Sequence, residues 1–108
     1  MQKYHNRKIT FDGQTFDSQR EARRFWELQM LERAGEITGL ECQTPFELIP
    51  AQRTSAGRLE RGVTYIADFV YWQDGHQVIE DVKGVRTKEY IIKRKLMLWK
   101  YGIEIKEV

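Results

Sequence analysis

Asp68-Phe-Val-Tyr-Trp-Gln-Asp-Gly-His-Gln-Val-Ile-Glu-Asp-Val-Lys83 is the stretch whose reading decides the fold. Its flanks are rich in Val, Ile, Tyr, Phe and Trp, and Asp74-Gly75 stands between them. That pattern predicts two adjacent antiparallel strands joined by a tight turn. Side chains alternate across a strand with period two. Asp68 therefore shares a face with Ile66, Val70 and Trp72, and Asp81 and Lys83 share a face with Ile79. Unpaired charge on a half-buried sheet face is costly and calls for a metal ion or a counter-charge. A structural ion pair from Lys83 to Asp68 or Asp81 answers that demand as well as a cation does.

Working outward, the 108 residues suffice for one domain and one core. Hydrophobic residues at 41% and charged residues at 31% fit a globular chain. No apolar run approaches the roughly 20 residues that span a bilayer. The start, Met1-Gln-Lys-Tyr-His-Asn-Arg-Lys8, has no apolar segment after it and is not expected to be a secretory signal. The lone Cys42 excludes an internal disulfide and a multi-cysteine zinc site, and is expected to pack rather than react. A cytoplasmic location and no membrane partner are the expectation. From Lys83 to Tyr101 basic residues outnumber acids seven to one, which leaves a charge of −4 for the remainder of a chain whose net charge is +2. A basic segment directly after an acidic pair suits a polyanion bound across a cation site, although a solvated helix face has the same composition.

In chain order, Lys8 to Phe16 reads as a small hairpin around Asp12-Gly13. Ser18 and Glu21 form an S-x-x-E capping box, which predicts a helix to about Ala34 with Gly35 as its terminator. Glu21 falls at the N-terminal end of the inward stripe that continues through Phe25 and Leu28. Its carboxylate can cap the helix or reach the metal end of a sheet packed below. Two short strands are expected at Ile37–Leu40 and Phe46–Pro50, with Gln43 at the turn between them and Pro50 closing the second. Ala51 to Gly62, with Arg53, Arg58 and Arg61, reads as a polar loop without periodicity, either a mobile segment near a phosphate backbone or an exposed hairpin loop. Thr87 caps a second helix to about Lys100, with Gly102 as terminator and Ile92, Leu96 and Trp99 as the expected core stripe. Ile103 to Val108 alternates as a last strand, expected to run parallel to a central strand after the helical crossover.

Glu21, Asp68 and Asp81 are hard oxygen ligands, which suit Mg²⁺ or Mn²⁺ and not zinc. Lys83, two residues from Asp81, is placed to position a water or stabilise charge developing on a phosphoryl group. Gln43 is a polar turn residue or an accessory contact, and Lys93, Arg94 and Lys95 are expected to steer a phosphate backbone together with Arg86 and Lys88. His5 and His76 are expected at the surface. Glu80 points away from Lys83 and is assigned to the back of the sheet.

At Asp68 and Asp81-Val82-Lys83 the sequence resembles the PD-(D/E)xK nuclease superfamily, whose motif is an acid, a spacer, and (D/E)-x-K on the adjoining strand. Glu21 matches the helix glutamate that the superfamily often adds. Ala67 stands where the name-giving proline would be. More narrowly, Phe16-Asp-Ser-x-x-Glu-Ala, Tyr65-Ile-Ala-Asp-Phe and Glu80-Asp-Val-Lys-Gly resemble small phage and prophage proteins of undefined role, similar to phage Holliday-junction endonucleases. The resemblance implies an α/β fold with a restriction-endonuclease-like αβββαβ core and a mixed sheet. It further implies a Mg²⁺-dependent endonuclease acting on branched or junction DNA, encoded by a phage or prophage and working as a homodimer in the host cytoplasm. Glu21, Asp68 and Asp81 would hold metal and Lys83 would assist catalysis. The other reading of the same residues is a DNA-binding accessory protein that does not cut.

Overall fold

The computed structural model describes residues 8–108; His5 and the rest of the basic start lie outside them. Strands β1 (Ile9–Phe11) and β2 (Gln14–Phe16) form a hairpin that leads into helix α1 (Gln19–Arg33). Strand β3 (Thr38–Ile49) is followed by a second hairpin, β4 (Gln52–Arg53) and β5 (Leu59–Glu60). Then come β6 (Val63–Gln73), β7 (His76–Asp81), α2 (Lys88–Tyr101) and β8 (Lys106–Glu107). The main sheet is four-stranded in the order β3-β6-β7-β8. Its first pairs are antiparallel and β7–β8 is parallel, as a helical crossover requires. The protein is thus a mixed α/β structure.

Local chemistry sets the boundaries. Asp74 and Gly75 turn with φ of 52° and 79°, the doubly positive backbone of a type I′ turn, and Asp12-Gly13 repeats it. Ser18 Oγ accepts from the Glu21 amide at 3.2 Å, and Thr87 Oγ1 accepts from the Tyr90 amide at 3.1 Å. Gly102 closes α2 in the left-handed conformation, φ 68°.

Three expectations are corrected. The strands read at Ile37–Leu40 and Phe46–Pro50 are one strand, β3, with Pro45 inside it opposite Ile66. β3 lies at the sheet edge, where a missing N–H is tolerated, and Gln43 absorbs the local bend with a φ of 54°. The stretch Ala51–Gly62 carries the short exposed hairpin β4-β5, one of the two readings its composition allowed. On α2 the buried positions are Tyr90 and Met97, while Ile92 and Trp99 are exposed. The last strand is also shorter than expected, though Ile103 and Ile105 still pack inward.

The core divides into two clusters. Leu48, Tyr65, Ala67, Val70 and Ile79 pack under α2 with Tyr90 and Met97. Phe16, Phe25, Leu28, Ile37, Phe69 and Tyr71 pack under α1 and the β1-β2 hairpin. Tyr65, Ala67, Phe69 and Tyr71 belong to one alternation set on β6, yet the first two join the α2 cluster and the last two the α1 cluster. The paired strand β3 does the same, sending Cys42 to one cluster and Leu48 to the other. The β3-β6 ribbon therefore twists strongly between these pairs, in the right-handed sense intrinsic to strands. Asp68 stands at that twist.

Candidate active site

Asp68 occupies the point where β6 and β7 part. Their paired residues end at Phe69 opposite Glu80. One step further, the Asp68 carboxylate takes over from the backbone: its Oδ2 accepts the Val82 amide at 2.8 Å. The Val82 donor is thereby satisfied in a half-buried position. β8 occupies the other edge of β7, where Val108 N donates to Asp81 O at 3.0 Å and Lys83 N donates to Val108 O at 3.2 Å. Both ends of the Asp81-Val82-Lys83 segment are thus pinned.

The divergence opens a cleft of about 280 Å³ lined by Asp68, Asp81 and Lys83 together with Tyr65, Tyr90 and Lys93. Asp81 is only 4% exposed. Its Oδ2 accepts from the Tyr65 hydroxyl at 2.6 Å and its Oδ1 faces Lys83 Nζ at 3.3 Å. Lys83 Nζ lies 4.0 Å from the centre of the Tyr90 ring, so an aromatic face and a carboxylate hold the ammonium together. Tyr90 is fixed in turn by its hydroxyl on Glu107 Oε2 at 2.7 Å.

The electrostatics mark the site. Burial, followed by the hydrogen bond to and the charge of Asp81, pushes the Asp68 carboxyl well above the ordinary carboxylate range, against the pull of the Val82 amide. Burial and then Asp81 hold the Tyr65 phenol protonated far into the alkaline range. Glu21 is raised by burial, then by Asp17 and Asp81. Burial and then Asp68 push the Cys42 thiol up to about 11, and the side chain packs against the α1 cluster.

Of the residues singled out from sequence, Asp68, Asp81 and Lys83 converge. Glu21 is close enough to feel Asp81 and Lys83, but its Oε1 takes the Ser18 hydroxyl at 3.5 Å and it does not line the cleft. Among the described residues, no group of three or more His, Cys, Asp or Glu side chains is arranged to hold one ion. Lys93 lines the cleft and pairs with Glu89 at 3.5 Å. Arg86 and Arg94 are spent on Glu107, at 2.6 and 3.3 Å. Lys95 lies with Leu98 beside a separate hollow, and Lys88 is exposed. Gln43 is exposed on the edge strand, between the pairs Cys42–Phe69 and Thr44–Ala67. His76 is exposed at the hairpin turn. Glu80 is on the back of the sheet, fully buried and not solvated: Arg24 forks onto it at 2.8 and 2.7 Å, and the Tyr71 hydroxyl donates to it.

Sequence reading missed Tyr65 and Tyr90. Alternation puts Tyr65 on the face opposite Asp68, and only the twist of the ribbon carries its hydroxyl round to Asp81. Tyr90 signalled only an apolar helix position.

A pair of aspartates, Asp68 with one oxygen on the Val82 amide and Asp81 with its oxygens on Tyr65 and Lys83, suits a hard divalent cation that keeps several waters and takes one or two carboxylates. Asp68 and Asp81 fit that demand as a pair; a third carboxylate from Glu21 does not join them. A family model described as "Protein of unknown function (DUF1064)" matches residues 1–107, and the chain belongs to that family. No curated protein and no solved structure matches it. No helix among the described residues is long and apolar enough to cross a membrane.

Proposed function

We propose that this member of the DUF1064 family is a divalent-metal-dependent endonuclease of the PD-(D/E)xK kind, acting on DNA with branched or junction character as the favoured substrate. One observation carries the reading: two aspartates from adjoining strands share a solvent-open cleft with a lysine 3.3 Å from one of them. Asp68 and Asp81 would hold Mg²⁺ or Mn²⁺, which supplies positive charge at the phosphate and makes a bound water acidic enough to act as nucleophile. Tyr65 orients Asp81 through Oδ2, and the Val82 amide orients Asp68, so neither carboxylate must reorganise as the cation enters. Lys83, held over the Tyr90 ring, neutralises charge that grows on the phosphoryl oxygens as the phosphorus–oxygen bond breaks. Lys93, on the opposite wall, binds a phosphate oxygen and sets the strand in register. A phage or prophage origin, a homodimer and action in the host cytoplasm belong to the same proposal and rest on the resemblance alone.

The test is cleavage of linear, flap and four-way-junction DNA with Mg²⁺ or EDTA. Asp68→Ala and Asp81→Ala should each abolish metal-dependent cutting while DNA binding persists. Equal cleavage by variant and parent would remove the proposal. The position of Glu21, whose carboxylate faces the Ser18 hydroxyl and does not line the cleft, favours a second reading, a DNA-binding accessory protein that does not cut. It predicts DNA binding by the parent with no EDTA-sensitive nicking on any of these substrates.

A further inference from the structure

Pro50 to Gly62 leaves the sheet as a hairpin in which every residue is exposed. It is nonetheless ordered. Gln52 pairs with Glu60 and Arg53 with Leu59. Thr54 N donates to Arg58 O and Gly57 N to Thr54 O, both at 2.9 Å, and Thr54 Oγ1 accepts from Arg58 N at 3.1 Å. Arg53 closes the tip by donating to Gly57 O at 2.9 Å. The foot is a close crossing of backbones: a Cβ on Gly62 would lie 2.7 Å from Ile49 O and 3.1 Å from Ala51 N. Only glycine allows this crossing. A hairpin with two residues in each strand and no buried face contributes little to the fold, while ordering it costs backbone entropy.

The arm is also rich in cations and poor in acids. It carries Arg53, Arg58 and Arg61 against a single acid, Glu60. Among the described residues none of these three arginines forms an ion pair, and the same holds for Arg20, Arg23, Arg33, Lys88, Lys95 and Lys100 elsewhere on the surface. The arm joins the cleft without a break. Thr64, Glu89 and Lys93 line the catalytic cleft and also the adjoining hollow, which reaches Gly62 and Val63 at the foot of the arm.

We infer that this hairpin is a clamp for the phosphodiester backbone of duplex nucleic acid flanking the strand held in the cleft. Arginine forks match phosphate oxygens, and a ribbon of them without a hydrophobic centre suits a regular polyanion. A protein partner would instead require buried aromatic or aliphatic anchors, and the arm offers only Leu59. The inference rests on reading the cleft as a phosphodiester site, and its test is separable from catalysis. Binding of labelled duplex DNA and duplex RNA is measured by anisotropy in EDTA, where no cutting occurs, across a salt series. Relative to the parent, Arg53→Gln/Arg58→Gln/Arg61→Gln should bind about tenfold or more weakly, with a logarithmic salt slope shallower by roughly 3. Lysine at all three positions should keep the slope. Thermal midpoint and Mn²⁺ binding should match the parent in both variants. The tighter of the two duplexes identifies the source of the backbone. Equal affinity and slope for the parent and the glutamine variant would overturn the inference. So would failure of the parent to bind either duplex, or equally tight arm-dependent binding of poly-glutamate, which would mark a protein partner. A parent that binds through the arm but never cuts refutes the catalytic reading alone.

Discussion

Asp68 is held where a carboxylate is least comfortable: half-buried, beside Asp81, and near Glu21. Its pKa lies above the ordinary aspartate value of 3.8, so the folded state keeps a proton that the unfolded chain gives up. The metal-free protein therefore loses stability as pH climbs from about that value toward neutrality. Asparagine keeps the acceptor for Val82 N and carries no charge. Asp68→Asn should thus be more stable than the parent at neutral pH without metal, by about 1 kcal/mol, and equal to it at acid pH. Urea unfolding at both pH values checks this, and a variant less stable than the parent at neutral pH refutes it. A strained acid pair of this kind suits a site preorganised for a cation. The D…DxK spacing and the alternation of β7 made Asp68, Asp81 and Lys83 readable from sequence. Tyr65 was not readable, because its contact with Asp81 depends on how far the ribbon twists.

Between elements, polar contacts do the docking. Arg24 on α1 forks onto the fully buried Glu80 of β7, ties the helix to the back of the sheet, and is braced by Glu27 at 3.1 Å. Removing the cation leaves Glu80 buried with only Tyr71 and a distant Lys106, 4.0 Å away. Arg24→Ala should therefore cost about 3–5 kcal/mol in urea unfolding, while Glu80→Gln, which stays hydrogen-bonded, should cost less. An equal or reversed order would show that the pair does not anchor α1. On the other side Glu107 of β8 gathers Arg86, Tyr90 and Arg94 from the α2 region, and the Arg86 hydrogen bond, followed by Tyr90, lowers its pKa to about 2. The basic helix looked like a nucleic-acid face in sequence, but part of it serves to fasten β8. Composition records charge and not which carboxylate will claim it. The helix periodicity likewise identified α2 but left its rotation open, and Ile92 and Trp99 turned out to face solvent.

The whole molecule is flat, 54 × 46 × 23 Å, with the cleft at the twist between its two core clusters. A cation bound by Asp68 and Asp81 would relieve their mutual repulsion in the folded state only. Mn²⁺ at a hundred times its dissociation constant should accordingly raise stability by about 2.7 kcal/mol, visible as a higher thermal midpoint. Asp68→Ala/Asp81→Ala should show no such gain. A gain that survives this double substitution places the ion elsewhere.

The sequence by itself determined the two helices, the hairpin before the first of them and the two strands that meet at the site. Those follow from period, caps and turn residues, which act over a few positions of chain. It also placed Asp81 and Lys83 side by side, because two residues along a strand share a face. Only the tertiary structure decided that β3 runs unbroken through Pro45, that Glu21 stays with its cap, that Tyr65 reaches Asp81, and that Glu107 claims two arginines. Each of these depends on the twist and docking of surfaces far apart in the chain, where a shift of a few ångströms makes or breaks a hydrogen bond and no local pattern records it.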